Sequence, residues 1–111
     1  MTWQSTGLDA STLAPGSMRE VMVGTRSVLV VHIGTGIFAL EATCPHIGGL
    51  LTDGTLSGPQ LTCPEHAARF DVRTGAVLSD PFGVEPPEGG VDPVASYPTR
   101  LAAGIVEVEL P

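Results

Sequence analysis

The 111-residue chain contains only two cysteines, and aromatic residues account for just five positions. A single disulfide would use both cysteines. A reducing compartment would instead leave both available as thiolate ligands, since disulfides persist mainly in oxidising surroundings. The scarcity of cysteine therefore directs attention to what the two thiols could bind.

Basic residues are also few, with 5 against 12 acidic residues and a formal charge of −7. Such a surface repels nucleic acid and anionic membranes, and it speeds encounter with a basic partner protein. The longest purely aliphatic run is Val28–Val31, far short of the roughly 20 residues of a spanning helix. No basic segment followed by an apolar one opens the chain, so a signal peptide is not expected. We expect a soluble, cytoplasmic monomer that binds neither nucleic acid nor membrane.

Glycine and proline, in contrast, are abundant, at 14 and 10 residues. This composition favours many turns and short strands over long helices. No segment before residue 43 shows a sustained 3.6-residue apolar period, which disfavours helix there. The length suits a single domain, residues 1–111, with a modest core. The sequence predicts an all-β fold.

The strand signals are short and separated by turn residues. Residues 1–16 are polar and small and end in a turn at Ala14-Pro15-Gly16. Gly34-Thr35-Gly36 is a hairpin signal, because glycine supplies the positive φ that such turns require. The predicted strands are 17–23, 27–33, 36–42, 55–56, 70–72, 76–78, 97–101 and 105–110, the last two forming a hairpin. Strands at such intervals indicate an antiparallel β-sandwich or barrel.

Both cysteines and two of the three histidines lie in two short peptides, Cys44-Pro45-His46 and Cys63-Pro64-Glu65-His66. Two sulfur and two nitrogen donors suit zinc or an iron–sulfur cluster. The Cys-x-His and Cys-x-x-His spacing favours the cluster, since structural zinc sites prefer closely spaced cysteine pairs. The two peptides therefore predict a metal centre with Cys44, His46, Cys63 and His66 as ligands.

Around these ligands the chain resembles the Rieske-type [2Fe–2S] ferredoxins of bacterial ring-hydroxylating dioxygenases and related oxygenases. The resemblance covers roughly residues 17–110, and it rests on Cys44-Pro45-His46, Gly48-Gly49, Leu51–Gly54, Cys63-Pro64-x-His66, Arg69–Gly75 and Ser96–Pro98. It implies a β-sandwich with a small cluster-binding β subdomain at about residues 43–82. It also implies one [2Fe–2S] cluster, with Cys44 and Cys63 on the inner iron and exposed His46 and His66 on the outer iron.

The same resemblance implies an electron carrier and not an enzyme. Its partners would be a flavin-dependent ferredoxin reductase and a terminal oxygenase, each bound transiently. The sequence suggests no nucleophile–base pair, and a fully coordinated cluster leaves no iron position for a substrate. Two alternatives remain open, an accessory subunit of a larger reductase such as assimilatory nitrite reductase, and a redox-sensing module.

Two departures from related families are informative. Ala68 and Phe70 match positions where respiratory Rieske subunits use serine and tyrosine hydroxyls as donors to cluster sulfur. With fewer donors to the reduced state, we expect a potential near the low end of the Rieske range, about −150 mV. Residues 83–91 resemble an insertion in a third loop, in which Pro81 and Phe82 are expected to cover the cluster.

Other chemically active residues have structural interpretations. His32, in an apolar strand, is expected to be packed and hydrogen-bonded, not to bind a ligand. Arg73 could steer a partner or pair with Asp71 or Glu65. Trp3 is expected to close one end of the core.

Overall fold

The computed structural model of the chain describes residues 2–43, 51–63, 68–79 and 93–111. These residues form short antiparallel strands and two 3-10 turns, at Ala10–Thr12 and Leu51–Asp53. The strands are β1 (Thr2–Asp9), β2 (Ser17–Val23), β3 (Arg26–His32), β4 (Ile37–Glu41), β5 (Thr55–Ser57), β6 (Gln60–Thr62), β7 (Arg69–Asp71), β8 (Val77–Ser79), β9 (Ser96–Tyr97), β10 (Thr99–Ala102) and β11 (Ile105–Leu110). The predicted all-β class is confirmed.

The strands form three antiparallel sheets. A terminal sheet has the order β1-β11-β10, a middle sheet the order β2-β3-β4-β9, and a third sheet the order β5-β6-β7-β8. The third sheet, which we call the loop sheet, contains the strands that flank the Cys63 peptide. The middle sheet is continuous with the Cys44 peptide, because β4 ends three residues before it.

Strand β3 explains how the layers pack. Val28, Leu29, Val30 and Val31 are all fully buried, which fits a strand covered on both faces. Leu29 and Val31 belong to one hydrophobic core, and Val28 and Val30 belong to another. Successive side chains of a strand point to opposite faces, so β3 separates the two cores. The run that predicted a buried strand lies at the centre of the fold.

We name the two cores by their position. The loop core consists of Leu29, Val31, Leu40, Ala42, Leu51, Leu61, Cys63, Ala68, Phe70, Val72 and Val94. The terminal core consists of Leu8, Leu13, Val23, Val28, Val30, Ala39, Val106, Val108 and Leu110. The terminal core joins the terminal sheet to the middle sheet, and the loop core joins the middle sheet to the loop sheet.

The N-terminal strand was missed from the sequence. Thr2–Asp9 forms β1 and pairs with β11 from Thr2 opposite Leu110 to Ser5 opposite Glu107. Its register then shifts before Asp9, around Gly7 with φ +72°. Most of its side chains are exposed or half-buried, and Leu8 is the one it buries. This segment is therefore a strand because its backbone pairs with β11, and its sequence has no apolar pattern from which the strand could be predicted.

The predicted strand 97–101 is in fact two strands. Ser96–Tyr97 pairs with β4 in the middle sheet, whereas Thr99–Ala102 pairs with β11 in the terminal sheet. Pro98 separates them, and proline cannot donate a ladder hydrogen bond. Its carbonyl still accepts from Glu109 N at 3.0 Å. The chain changes sheets at this proline, so the predicted C-terminal hairpin begins only at Thr99.

Candidate metal centre

Cys63 is the predicted ligand that lies within the described residues. It follows β6, is 1% exposed, and belongs to the loop core. Cys44, His46 and His66 lie outside the described residues, as do Pro81, Phe82 and the 83–91 segment. The described part of the site consists of Cys63 and of the points where the ligand peptides join the sheets.

The first ligand peptide starts and ends at a backbone hydrogen bond. Leu51 N donates to Ala42 O at 2.9 Å, and both side chains are fully buried. Leu51 then opens the 3-10 turn, in which Gly54 N donates to Leu51 O at 2.9 Å. The two ends of the peptide that carries Cys44 and His46 are thereby held together.

The second ligand peptide is closed in the same way. Cys63 N donates to Ala68 O at 2.7 Å, joining the end of β6 to the residue before β7. Ala68 is fully buried. The hydrogen bond between Cys63 and Ala68 therefore holds together the two ends of the peptide that carries His66.

Both closures belong to the same core. Ala42, Leu51, Cys63 and Ala68 are all members of the loop core, although 16 residues separate the two sequence motifs. Ala42 directly follows β4 of the middle sheet, and Leu51 opens the 3-10 turn before β5. Cys63 directly follows β6 and Ala68 directly precedes β7 of the loop sheet. The fold thus brings the ends of the two ligand peptides together, as the motif requires.

The surroundings of Cys63 fit a thiolate ligand to a buried iron. The cysteine lies among aliphatic and aromatic side chains that exclude water, and it follows a strand whose backbone is fixed by pairing on both sides. A soft sulfur donor in such a place suits an iron–sulfur centre. Among the residues that the structure describes, no three His, Cys, Asp or Glu side chains group into another metal site.

The base of the third loop is held by Gly75. Its N–H donates to Asp71 O at 2.7 Å, and its carbonyl accepts from Val94 N at 3.0 Å. Gly75 has φ +80°, and a Cβ there would lie 2.1 Å from Val94 O. Both constraints require glycine. The chain on the C-terminal side of residues 80–92 is therefore attached to the turn between β7 and β8.

Arg73 pairs with Asp71, one of the two partners predicted for it. Arg73 donates to the Asp71 carboxylate through Nε at 3.0 Å and Nη2 at 2.9 Å, and its backbone N–H donates to Oδ1 at 2.9 Å. These hydrogen bonds from the guanidinium lower the pKa of Asp71 and raise that of Arg73. The pair stabilises the turn next to Gly75.

His32 and Trp3 lie away from the ligand peptides. His32 Nδ1 is 2.7 Å from Leu13 O, which confirms the expected hydrogen-bonded role. Trp3 belongs to neither core, so the expectation that it closes one end was wrong. Its ring instead lies under Arg100, whose Cζ is 4.3 Å from the ring centroid. Arg100 Nε in turn donates to Glu107 at 2.7 Å.

Gly54 has a packing role that was missed. The sequence marked Asp53-Gly54 only as a turn dipeptide, yet a Cβ at Gly54 would lie 2.3 Å from Thr62 O. The turn signal indicated that a glycine was needed but not that another backbone approaches it.

Within the described ranges, no helix has the length and hydropathy that crossing a membrane requires.

Comparison with known proteins identifies the family to which the chain belongs. The model of the Rieske [2Fe-2S] domain matches residues 3–98. Ferredoxin CarAc of Metapseudomonas resinovorans is 39% identical, over 74% of this chain and 84% of that protein. The ferredoxin component of biphenyl 2,3-dioxygenase from Rhodococcus jostii (strain RHA1) is 33% identical, over 88% of this chain and 84% of its own length. A ferredoxin chain solved in a complex of reduced oxygenase and oxidized ferredoxin of carbazole 1,9a-dioxygenase superposes with a TM-score of 0.79. That chain is 32% identical, with 96% of this chain and 91% of that chain covered.

Proposed function

Because the chain belongs to the Rieske [2Fe-2S] domain family, we propose that it carries single electrons from a flavin-dependent ferredoxin reductase to a terminal oxygenase. It binds one [2Fe–2S] cluster, and it is an electron-transfer component of such a system and not itself an enzyme. The related ferredoxins named above serve dioxygenase systems, and one was solved with its oxygenase. These names support the choice of partners.

The observation that carries this proposal is the shared base of the two ligand peptides in the loop core. From it we propose that Cys44 and Cys63 bind one iron and that His46 and His66 bind the other. The bound cluster supplies reversible one-electron chemistry. Each imidazole keeps a second ring nitrogen that can hold a proton or donate a hydrogen bond.

Three further assignments go with this function. The whole chain, residues 1–111, would act as one domain, with a cluster-binding subdomain at about residues 43–82. The protein would work as a monomer in the cytoplasm, where reducing conditions keep Cys44 and Cys63 available as ligands. Its charge of −7 favours reductase and oxygenase surfaces that are basic.

The ligand assignment is tested first by EPR of anaerobically purified, dithionite-reduced protein, with iron and zinc measured on the same sample. We expect two irons per chain, as a [2Fe–2S] cluster requires, and a rhombic signal. Pulsed EPR of protein labelled with ¹⁵N-histidine should detect two coupled imidazole nitrogens. Zinc at one per chain with no EPR signal would contradict the proposal.

The three histidines provide a matched set of variants. His46→Asn and His66→Asn should each lose one coupled nitrogen and most of the iron. His32→Asn changes the same residue type at a site where Nδ1 is hydrogen-bonded to Leu13 O, so it should keep the parent spectrum. Loss of the signal in all three variants would point to a general loss of folding instead of specific ligation.

Electron delivery needs a separate test, because a cluster alone does not distinguish a carrier from an accessory subunit or a sensor. When the reduced protein is mixed with an oxidised terminal oxygenase under anaerobic conditions, its cluster should be reoxidised fast enough to be followed by stopped-flow absorbance. The oxygenase of a biphenyl or carbazole dioxygenase system is the probe. Copurification of the chain with a large reductase, together with no transfer to oxygenase, would favour the accessory subunit.

A further inference from the structure

Gly54 lies where the two ligand peptides join the sheets. Its N–H donates to Leu51 O, the first described residue after the Cys44 peptide. Strand β5 begins at the next residue, Thr55, which pairs with Thr62 of β6. Thr62 immediately precedes Cys63. Gly54 therefore contacts the end of one ligand peptide and the start of the other.

The space around Gly54 leaves no room for a side chain. A Cβ at this position would lie 2.3 Å from Thr62 O, 3.0 Å from Leu51 O and 3.3 Å from Leu61 Cδ1. Ordinary van der Waals contact starts at 3.4 Å, so the Thr62 carbonyl would have to move by about 1 Å. Gly54 is not among the glycines with positive φ. Close backbone approach, and not backbone conformation, therefore requires glycine here.

A displacement at Thr62 reaches the ligand directly. The Thr62 carbonyl is part of the peptide bond to Cys63, and a planar peptide unit moves as one body. The hydrogen bond from Cys63 N to Ala68 O belongs to that same peptide unit. On the other side, Leu51 is held to Ala42 O. The contact between Gly54 and Thr62 therefore sets a distance between the two ligand peptides.

We propose that Gly54 is a positioning residue, whose missing side chain fixes the separation of the Cys44 and Cys63 peptides on the loop core. This inference rests on the ligand assignment proposed above. The contacts that carry it are backbone contacts of the half-buried Gly54 with Thr62 of β6 and with the buried Leu51, so the separation is set by the fold. An added methyl group would move the Cys63 peptide while leaving all four predicted ligands in the chain.

The test compares Gly54→Ala with Gly36→Ala. Gly36 also lacks a positive φ, but a Cβ there would meet only the Phe38 ring, at 3.5 Å. The measurements are the EPR g values of the reduced protein, the reduction potential, and the rate of iron release to a chelator. Gly54→Ala should shift the EPR g values and the reduction potential. It should also release iron about tenfold faster, because changes in the residues that support a metal site commonly weaken metal binding by at least that factor. Gly36→Ala should match the parent protein in all three.

Hydrogen exchange on the unaltered, cluster-loaded protein supplies an answer even if Gly54→Ala does not fold. The Gly54 and Cys63 amides should exchange as slowly as that of Leu29 in the middle sheet. Faster exchange at both would show that the junction opens locally, which would overturn the inference. The inference would also be overturned if Gly54→Ala had the same EPR spectrum, reduction potential and rate of iron release as the parent protein. A parent protein without a [2Fe–2S] cluster would instead overturn the proposed function.

Discussion

At the scale of single residues, Asp71 and Arg73 form a charged pair whose main effect is local. Arg73 is bound to the carboxylate through two side-chain nitrogens, yet its own side chain is half exposed. Exposed pairs contribute little to stability because water screens them and their side chains lose freedom. The pair therefore stabilises the turn after β7 modestly and leaves little free charge to attract a partner.

The pH dependence of this pair can be predicted in sign. Hydrogen bonds from Arg73 lower the pKa of Asp71 below 3.8, so the folded state binds the proton less tightly than the unfolded state. The stabilisation is then complete above about pH 4 and is lost as the pH falls through the folded-state pKa. Arg73→Gln should slightly lower the stability of the protein at pH 7, and this difference should shrink below about pH 4.

Arg69→Gln is the matched control for that measurement. Arg69 is exposed on β7 and makes no ion pair within the described part of the chain. Thermal unfolding of both variants and of the parent protein across the pH range measures the difference in stability. The acid sensitivity of the cluster is common to all three proteins and therefore cancels in the comparison. A cost for Arg73→Gln that stays constant down to pH 3 would contradict the assignment.

Ala68 and Phe70 lead to a second prediction at this scale. Both are fully buried in the same core as Cys63, and neither side chain carries a hydrogen-bond donor. Without such donors the electron-rich reduced state is less stabilised, so voltammetry should give a potential near −150 mV, about the lower limit of the range. Ala68→Ser should raise the potential, whereas Leu61→Val, a change in the same core without a donor, should not. A parent potential well above zero would contradict this explanation.

Single residues also show what the sequence could and could not predict. The sequence predicts four ligands because metal binding depends on donor type and spacing, both of which can be read from the residues, and this assignment stays a prediction. Gly54 was seen only as a turn residue, because the Thr62 carbonyl that approaches it belongs to a neighbouring strand. That approach depends on tertiary packing, which no local pattern encodes.

At the scale of secondary-structure elements, the strands differ in how strongly their own residues specify them. Strand β3 is covered on both faces and shows a continuous apolar run. Strand β11 alternates buried aliphatic residues with half-buried glutamates, which is the pattern of a one-sided sheet. Both were predicted for these reasons. Strand β1 has no such pattern, since it depends on pairing with β11.

The energetic role of β1 can be measured through its buried residue. Leu8 is 6% exposed and belongs to the terminal core. Leu8→Ala should cost about 2–3 kcal/mol, at the lower end for leucine because the site lies near the edge of a sheet. Denaturant unfolding should show a lower midpoint with an unchanged slope. Met22→Ala, at a residue 62% exposed on β2, should change stability by less than about 0.5 kcal/mol.

An equal effect of the two substitutions would show that residues 2–9 do not pack in solution as they do in the structure.

The position of Leu8 also predicts that its substitution leaves the metal centre unchanged. Leu8 lies in the terminal core and Cys63 in the loop core, and β3 lies between them. Leu8→Ala should therefore lower stability without changing the EPR spectrum, unlike Gly54→Ala.

At the scale of the whole molecule, the acidic charge is the property most relevant to partners. The chain has no lysine, and its five basic residues are all arginine. Two of these, Arg73 and Arg100, are ion-paired with Asp71 and Glu107. The remaining acidic excess acts at long range, where it affects how often partners meet more than how tightly they bind.

This charge predicts how electron transfer responds to salt. If the reductase presents a basic surface, attraction increases the encounter rate at low ionic strength, and screening removes the increase as the Debye length shortens. The second-order rate of reduction should fall about tenfold between low salt and about 0.5 M NaCl. Sucrose at matched viscosity controls for slower diffusion. A rate indifferent to salt would show that encounter does not depend on the charge. Carbodiimide cross-linking would then locate the contact, because without lysine this chain can contribute only carboxylates and its terminal amine.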